Sequence, residues 1–584
     1  MNSFKRIFLV VIGLVAMTAW AGKGLFKYSI YQTHDLDHHL VRTLDAVATL
    51  KEGAFPLRWA GILNFECGTP IYNFFNPLFY YISASLTFVT GNIMNSIKII
   101  SLLSLFMGSL FFFLWLKNET KDWLVSFVGS LLYLYAPYKF SLIYVRGSPE
   151  YLAYAILPAV FYFYSLAIGS KKNRYVLYLF LASVSGGLLS IAHNVVFLLG
   201  LSVITVYLVT KVLLKQVKEK KEIILLIFSY LSIIGFGAFF IFPALLEEKF
   251  TQIGIPVFFY KDHFPILSQL LYSPWGYGDS AIGTKLDGMS FQIGLAQWIV
   301  LVVALVYLAC RIYLSKFRLN RKFILDNIWI IVFSTLSLLF IFIDLPSSGF
   351  IWEKITILQA IQFPWRVLGI IIFVLSAVFA FVVSRIKYRP LYYLIILVIP
   401  FLALIANRNY LLPQPVYQKT LIYYENLSTL NYSHNSVTQF QDNVLPLGKL
   451  AQCSSKTPVA LTDTGKIVQN KEIKRGSTYG SLMLTIGKKD ILGQKIILNL
   501  DYFPGVFAFT LNGKTQVYSD CEGRVCLAVN DFIEGDNVIS WNVVQSKIER
   551  LFNAVTLTFI VLWLIIIVYF CIPNFHTLVL KDHR

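Results

Sequence analysis

The sequence predicts a polytopic α-helical membrane protein of about 12 transmembrane helices, with an external β-sandwich-like domain inserted before the last helix. Three observations predict it. Of 584 residues, 57% are hydrophobic and only 14% charged, whereas soluble domains carry roughly 45–50% and about 25%. The apolar residues fall in repeated runs of roughly 16–22, the length that crosses a hydrocarbon core at about 1.5 Å per residue. Between 407 and 546 this texture gives way to polar segments of period two broken by turn signals.

The elements follow in chain order. Lys5 and Arg6 precede an apolar run at 7–21 with no small-x-small cleavage site before Gly22-Lys23-Gly24, so this is an uncleaved first helix with its N-terminus inside. Further spans are predicted at 99–116, 123–142, 151–168, 175–192, 195–210, 223–242, 291–310, 328–343, 367–383, 391–406 and 551–571. The aromatic run 74–89 decides the topology. If it does not span, the basic clusters at Lys117/Lys121, 171–174, 211–221, 311–322, 385–389 and Lys581/Arg584 all share the side of Lys5 and Arg6. If it spans, five successive basic loops move outside, against the positive-inside bias. The run is therefore an interfacial helix. Both termini are placed in the cytoplasm and the chain in the cytoplasmic membrane. The net charge of +19 then reports topology rather than a nucleic-acid partner.

Three regions result: residues 1–406, transmembrane, with long external loops at 22–97 and 243–290; 407–547, an extracytoplasmic β domain; and 548–584, the last helix and a cytoplasmic tail. In the β region, 495–500 and 506–511 alternate, and Asn512-Gly513 is a hairpin turn. Of the six cysteines, only Cys521 and Cys526 read as a pair, across a hairpin tip. Asn426 and Asn431 head Asn-x-Ser tripeptides.

The topology sends the unusual polar residues to the outer face. Asp35 and Asp37 stand in the first external loop, where Leu36, Leu40 and Leu44 suggest a helix that puts Asp35 and His39 on one face and aims Asp37 elsewhere. A carboxylate there could deprotonate an acceptor hydroxyl or hold a divalent cation. His34 and His38 share zinc-like spacing, although a histidine-rich interfacial loop is the plainer account. Arg146 is a natural fork for a phosphate; Glu150, in the first turn of the next helix, is also what the helix dipole favours. His193-Asn194 interrupts an apolar hairpin. Trp275 lies in an aromatic, glycine-rich loop that suits binding or gating. Gln362, Trp365 and Arg366 enter a span directly. P-loop, dinucleotide, HExxH and GxSxG patterns are absent from the sequence, which withholds support from ATP-driven transport, redox chemistry and the familiar hydrolases.

Taken together, His34-Asp35-Leu36, Gly53-Ala-Phe-Pro-Leu-Arg58-Trp59, Asn76-Pro77, Tyr144-Val-Arg146-Gly147 with Glu150, Ala192-His193-Asn194, Ser273-Pro-Trp275-Gly-Tyr-Gly278 and Gln362-Phe-Pro-Trp365-Arg366 resemble a prokaryotic family. It is known as the 6-pyruvoyl-tetrahydropterin synthase-related membrane domain. More distantly, the layout is similar to the GT-C superfamily of glycosyltransferases that use polyprenyl-phosphate donors. That resemblance implies a GT-C-like fold, an acidic residue in the first external loop at Asp35, and a second polar motif where Arg146 and Glu150 replace the usual aspartate pattern. It implies transfer of a sugar from a polyprenyl-phosphate-linked donor to an extracytoplasmic glycan, lipid or protein acceptor. Asp35, Asp37 and Glu150 would be the catalytic set, with Arg58, Arg146, His193, Trp275, Gln362, Trp365 and Arg366 binding substrate and phosphate. Asp35 and Glu150 are the residues that could hold a divalent cation, Mg or Mn. The rival reading is a non-catalytic transporter or scaffold for envelope assembly.

Overall fold

A computed structural model describes residues 3–28, 31–171, 173–253, 260–283, 286–317, 320–414, 447–448, 453, 457–487 and 495–571. Asn426, Asn431 and the basic tail at Lys581/Arg584 lie outside the described residues. In chain order the main helices are α1 (Ser3–Ala21), α2 (Leu36–Lys51), α3 (Leu78–Thr90), α4 (Ile93–Thr120), α5 (Trp123–Leu134), α6 (Glu150–Ile168) and α7 (Asn173–Ala192). They continue with α8 (Asn194–Leu213), α9 (Lys220–Glu247), α10 (Leu295–Leu314), α11 (Arg321–Ile343), α12 (Leu368–Val383), α13 (Arg389–Ala406) and α14 (Lys547–Cys571).

Among the described residues ten helices are long and apolar enough to cross a membrane, namely α4 and α6–α14, and each covers one predicted run. Helix α1 covers the predicted first span with 19 residues. The aromatic run is helical only from Leu78 and for 13 residues, roughly 20 Å at the helical rise and too short for a ~30 Å core. Every residue of α12 is buried, the mark of a helix that is apolar all round and enclosed by its neighbours. The bundle thus wraps around α12, and Arg366 stands at its entrance.

The span predicted at 123–142 is broken. Pro137 lacks an N–H and pushes the residue before it out of helical geometry, so α5 ends at Leu134 and a short helix restarts at Pro137–Ser141. Asn407 Nδ2 donates to the Tyr135 carbonyl at 2.9 Å and Gln297 Nε2 to the Leu132 carbonyl at 3.1 Å. Side chains from two other parts of the bundle therefore satisfy backbone that lipid could not. The chain then takes one wide π turn over Leu142–Arg146, of the kind that recurs at functional sites.

The C-terminal region forms two antiparallel sheets. One orders β1 (Ala460–Thr462), β4 (Lys495–Asp501), β8 (Arg524–Ala528) and β7 (Tyr518–Cys521). The other orders β2 (Gln469–Arg475), β3 (Tyr479–Ile486), β9 (Gly535–Val543), β5 (Phe507–Leu511) and β6 (Lys514–Gln516). Asn512 and Gly513 both adopt positive φ, 51° and 80°, as the two-residue turn between β5 and β6 requires. Cys521 and Cys526 are bonded across the β7–β8 hairpin. A second disulfide, Cys67–Cys453, overturns the reading of one pairable couple. Its sequence separation of 386 left no local signal.

This region is fastened to the long loop at 22–97. Ser477 Oγ donates to Asp45 Oδ1 at 2.8 Å, Thr478 Oγ1 donates to Glu52 Oε2 at 2.6 Å, and Asn64 Nδ2 donates to Asp501 Oδ2 at 2.8 Å. Burial raises the Asp45 carboxyl to about 6 from an ordinary 3.8, with bonds from Ile62 N–H, Ser477, Tyr72 and Thr49 opposing the rise. A carboxyl raised in the folded state binds its proton more tightly there than when unfolded. Folding is therefore favoured as pH falls through about 6 towards 4, by up to roughly 3 kcal/mol for a two-unit shift. Between pH 7.5 and 5, wild type should gain Tm relative to Asp45→Asn. Parallel profiles for the two proteins would refute the assignment.

Candidate functional site

The candidate site begins with two strands of backbone that are far apart in sequence. His34 N–H donates to the Val145 carbonyl at 2.9 Å and Asp35 N–H to the Arg146 carbonyl at 2.8 Å. This pairing sets Asp35, the residue just before α2, against the π turn. Gly147 makes the approach feasible. Its φ is +64°, and a Cβ there would meet Thr33 Oγ1 at 2.4 Å and Leu36 Cβ at 2.9 Å.

Arg146 then donates from Nη2 to Asp35 Oδ2 at 3.2 Å, with Asp35 33% exposed and Arg146 8%. The pair therefore lies at a mouth and not in the interior. Burial pushes the Asp35 carboxyl up, but neighbouring positive charge, Arg146 first, outweighs it and holds the carboxyl below its ordinary value. Asp35 is an anion at neutral pH. The Arg146 guanidinium also lies 4.8 Å from the Trp365 ring centre, a cation–π contact that orients it. Its Nε has no hydrogen-bond partner among the described residues.

Glu150 is fully buried at the start of α6. Tyr138 OH donates to its Oε1 at 3.2 Å, and His193 Nε2 lies 3.9 Å from its Oε2, which has no hydrogen-bond partner among the described residues. His193 caps α8, with Nδ1 accepting from Val196 N–H at 3.5 Å. Burial, then Arg366 and Arg146, lower its pKa well below the ordinary 6.5, so it is neutral at pH 7. Asn76 fastens this corner, donating to the Ser190 carbonyl and accepting from Asn194 N–H, both at 3.3 Å. Arg366 Nη1 donates to the Ile361 carbonyl at 3.1 Å and to Gln362 Oε1 at 3.3 Å. Its Nε has no hydrogen-bond partner among the described residues, and its charge acts on Glu150 and His193.

The structure thus brings together Asp35, Arg146, Glu150, His193, Gln362, Trp365 and Arg366. It does not bring in Arg58. That guanidinium donates to Asn73 Oδ1, the Phe239 carbonyl and Asn553 Oδ1 at 3.2, 2.8 and 2.9 Å, and stands 3.9 Å from Glu549. It holds α9 and α14 to the first loop, so a phosphate-binding role there is corrected to a structural one. Trp275 is spent similarly: its Nε1 donates to the Leu412 carbonyl at 3.0 Å and its ring packs on Tyr410. Its loop still reaches the site, where the His34 ring Nε2 is 3.1 Å from both the Gly278 carbonyl and Asp279 Oδ1. Asp37 is half-buried in the first turn of α2 and acts on His38, away from the Arg146 pair.

A divalent cation does not fit this donor set. Among the described residues the group of carboxylate, His and Cys ligand atoms that converges is Cys67, Cys453 and Asp501, of which the cysteines are bonded to each other. Asp35 and Glu150 instead face two guanidiniums, which oppose a dication and favour an anion. Sequence reasoning missed Tyr138, which sits just past the Pro137 break inside a predicted span; the adjacent Lys139 was the one local signal that could have marked it. It also missed Phe363, whose ring lies 6.0 Å from Arg146 and 5.2 Å from Arg366 inside the recognised Gln362–Arg366 motif.

The family described as "6-pyruvoyl-tetrahydropterin synthase related domain; membrane protein" matches residues 72–411. No curated protein matches the chain. Among solved structures, arabinofuranosyltransferase AftD from Mycobacteria overlaps at TM-score 0.46 and 12% identity, over 80% of this chain and 31% of that one. The Archaeoglobus fulgidus oligosaccharyltransferase in its apo form overlaps at 0.44 and 11%, over 76% and 61%. ArnT from Cupriavidus metallidurans bound to undecaprenyl phosphate overlaps at 0.33 and 10%, over 66% and 79%. The chain spans less than two thirds of the length of the first two.

Gly147→Ala should disrupt the site twice over, by the positive φ and by collision with Thr33 and Leu36. Gly53→Ala carries a positive φ of 81° with nothing within 4 Å and so incurs the backbone cost alone, about 1 kcal/mol. Gly147→Ala should lower Tm clearly more than Gly53→Ala. Equal losses would mean that the close approach of the two strands is not under packing constraint.

Proposed function

The chain belongs to the 6-pyruvoyl-tetrahydropterin synthase related membrane family, and on that premise we propose that it is a membrane glycosyltransferase. It moves a sugar from a polyprenyl-phosphate-linked donor to an acceptor outside the cytoplasmic membrane. The observation that carries this reading is a third-exposed carboxylate, Asp35, paired with Arg146 beside a second guanidinium, Arg366, with Nε of both arginines uncommitted. A carboxylate and two forks for a phosphate are what a displacement at an anomeric carbon needs.

In the proposed reaction the acceptor hydroxyl oxygen bonds to the anomeric carbon while the bond from that carbon to the phosphate oxygen breaks. The hydroxyl proton passes to Asp35, and the electron pair leaves with the lipid phosphate. Arg146 and Arg366 neutralise the charge that develops there, beside the apolar rings of Phe363 and Trp365. Glu150 and His193 position the substrate through the Tyr138 contact and the 3.9 Å approach. Helix α3, with Phe88 and Val89 exposed, guides the lipid chain, and the β domain receives the acceptor. The positive-inside bias of the basic loops supports a β domain and a mouth that face outward.

The test uses the purified protein in nanodiscs with undecaprenyl phosphate and its monosaccharide conjugates. Arg146→Ala and Arg366→Ala should each weaken carrier binding at least about tenfold. Asp35→Asn should leave binding within about threefold while lowering transfer by 10²-fold or more, the scale of a lost general base. Carrier binding without transfer by wild type from any donor would favour the transporter or scaffold. Absence of carrier binding would overturn the mechanism.

A further inference from the structure

A second polar site lies at the opposite end of the bundle. Helices α6, α8 and α12 start beside the outer site, at Glu150, His193 and Arg366. The 20 residues of α8 carry the chain roughly 30 Å away. There, α4, α11 and α12 enclose a cleft of about 250 Å³, smaller than the ~300–1,000 Å³ typical of drug-sized ligands.

The charge at its base is already balanced. Glu119 accepts from Lys211 Nζ at 2.9 and 2.8 Å and from Tyr207 OH at 2.6 Å, with both members of the ion pair almost fully buried. Three lining groups remain open. Asn327 is 1% exposed. Its Nδ2 donates to the Phe323 carbonyl at 2.8 Å, yet its Oδ1 has no hydrogen-bond partner among the described residues. Asp326, half-buried, and Arg385, exposed, also line the cleft and form no ion pair among the described residues. Trp329 and Phe381 form an aromatic wall, with ring centres 6.0 Å apart.

A buried acceptor without a donor is costly. A ligand that carries a donor relieves it. The uncommitted set is one carbonyl oxygen and one carboxylate on α11, with one guanidinium just past the end of α12, on residues that line the same cleft. Acceptors on one wall and an anion fork on the other fit a zwitterion. We propose that this cleft binds the phosphoethanolamine headgroup of an aminophospholipid. The ammonium donates to Asn327 Oδ1 and Asp326, and the phosphate docks on Arg385. A quaternary ammonium cannot donate, so the site discriminates against choline. A glycerol headgroup can donate a hydroxyl to Asn327 but brings no positive charge to Asp326.

Purified full-length protein, delipidated and supplied with phosphatidylethanolamine, phosphatidylcholine or phosphatidylglycerol of matched chains, is read by native mass spectrometry. One phosphatidylethanolamine should remain bound with at least fivefold preference over the other two. N327L, D326N and R385A should each lower that occupancy at least fivefold. Asp35→Asn and Arg146→Ala, at the other end, should leave it unchanged, which separates this site from the outer one. Soluble phosphoethanolamine provides the second arm: its competition at millimolar concentration assigns the same headgroup chemistry to a free ligand, and its failure to compete assigns it to the lipid. Should N327L fail to fold, D326N and R385A carry the test. Equal retention of the three lipids by wild type, or undiminished phosphatidylethanolamine occupancy in D326N and R385A, overturns the proposal.

Discussion

Two backbone hydrogen bonds and one ion pair, joining residues 34–35 to 145–146, are the contact on which the candidate site depends. They fix the entry into α2 against the turn that precedes α6, and so decide that Asp35 meets Arg146. Backbone pairing gives the juxtaposition a rigidity that two flexible side chains would lack, since each paired residue has its φ and ψ set by the partner segment. Gly147 permits the approach, and Trp365 braces the guanidinium from the far side. Remove that contact and Asp35 no longer meets the Arg146 guanidinium that stands with Glu150 and Arg366.

The same contact depends on a defect in the bundle. An unbroken helix from 123 to 146 would carry Arg146 past the mouth on a fixed 3.6-residue repeat. The break at Pro137 and the π turn after it re-aim that side chain, and Asn407 and Gln297 absorb the carbonyls that the break releases. The enclosed helix α12 contributes differently. Buried along its whole length, it cannot rotate or slide without dislodging the packing around it, so Arg366 at its entrance is held in place by the core.

Helix α2 links this site to the β region. Its first residue follows Asp35; farther along, Asp45 and then Glu52 just past its end receive bonds from Ser477 and Thr478. The Cys67–Cys453 bond and the Arg58, Asn73 and Glu549 contacts add fastenings from the same loop to the β region and to α14. The loop at 22–97 is therefore a clamp between bundle and sheets. Its buried carboxylates are structural at one end, where they face hydroxyls and amides, and open to chemistry at the other, where one faces guanidinium and water.

By itself the sequence determined the spans, the short aromatic helix α3, the side on which basic charge collects and the β region with its Asn512-Gly513 turn. Each of these is a local property, summed over a window of hydrophobicity, charge or period-two alternation, and a helix or turn can be read without knowing its neighbours. Only the tertiary structure decided which ionisable groups meet. Arg58 and Arg146 are alike in sequence, each an arginine near aromatics in an otherwise apolar stretch, yet the Nη groups of one are consumed by Asn73, Asn553 and the Phe239 carbonyl while the other pairs with the part-exposed Asp35. Tyr138 found Glu150, and Cys67 found a partner 386 residues away, through packing that no window spans. Pairing energy falls off over a few ångströms, so it is settled by distance in the folded chain and not by position along it.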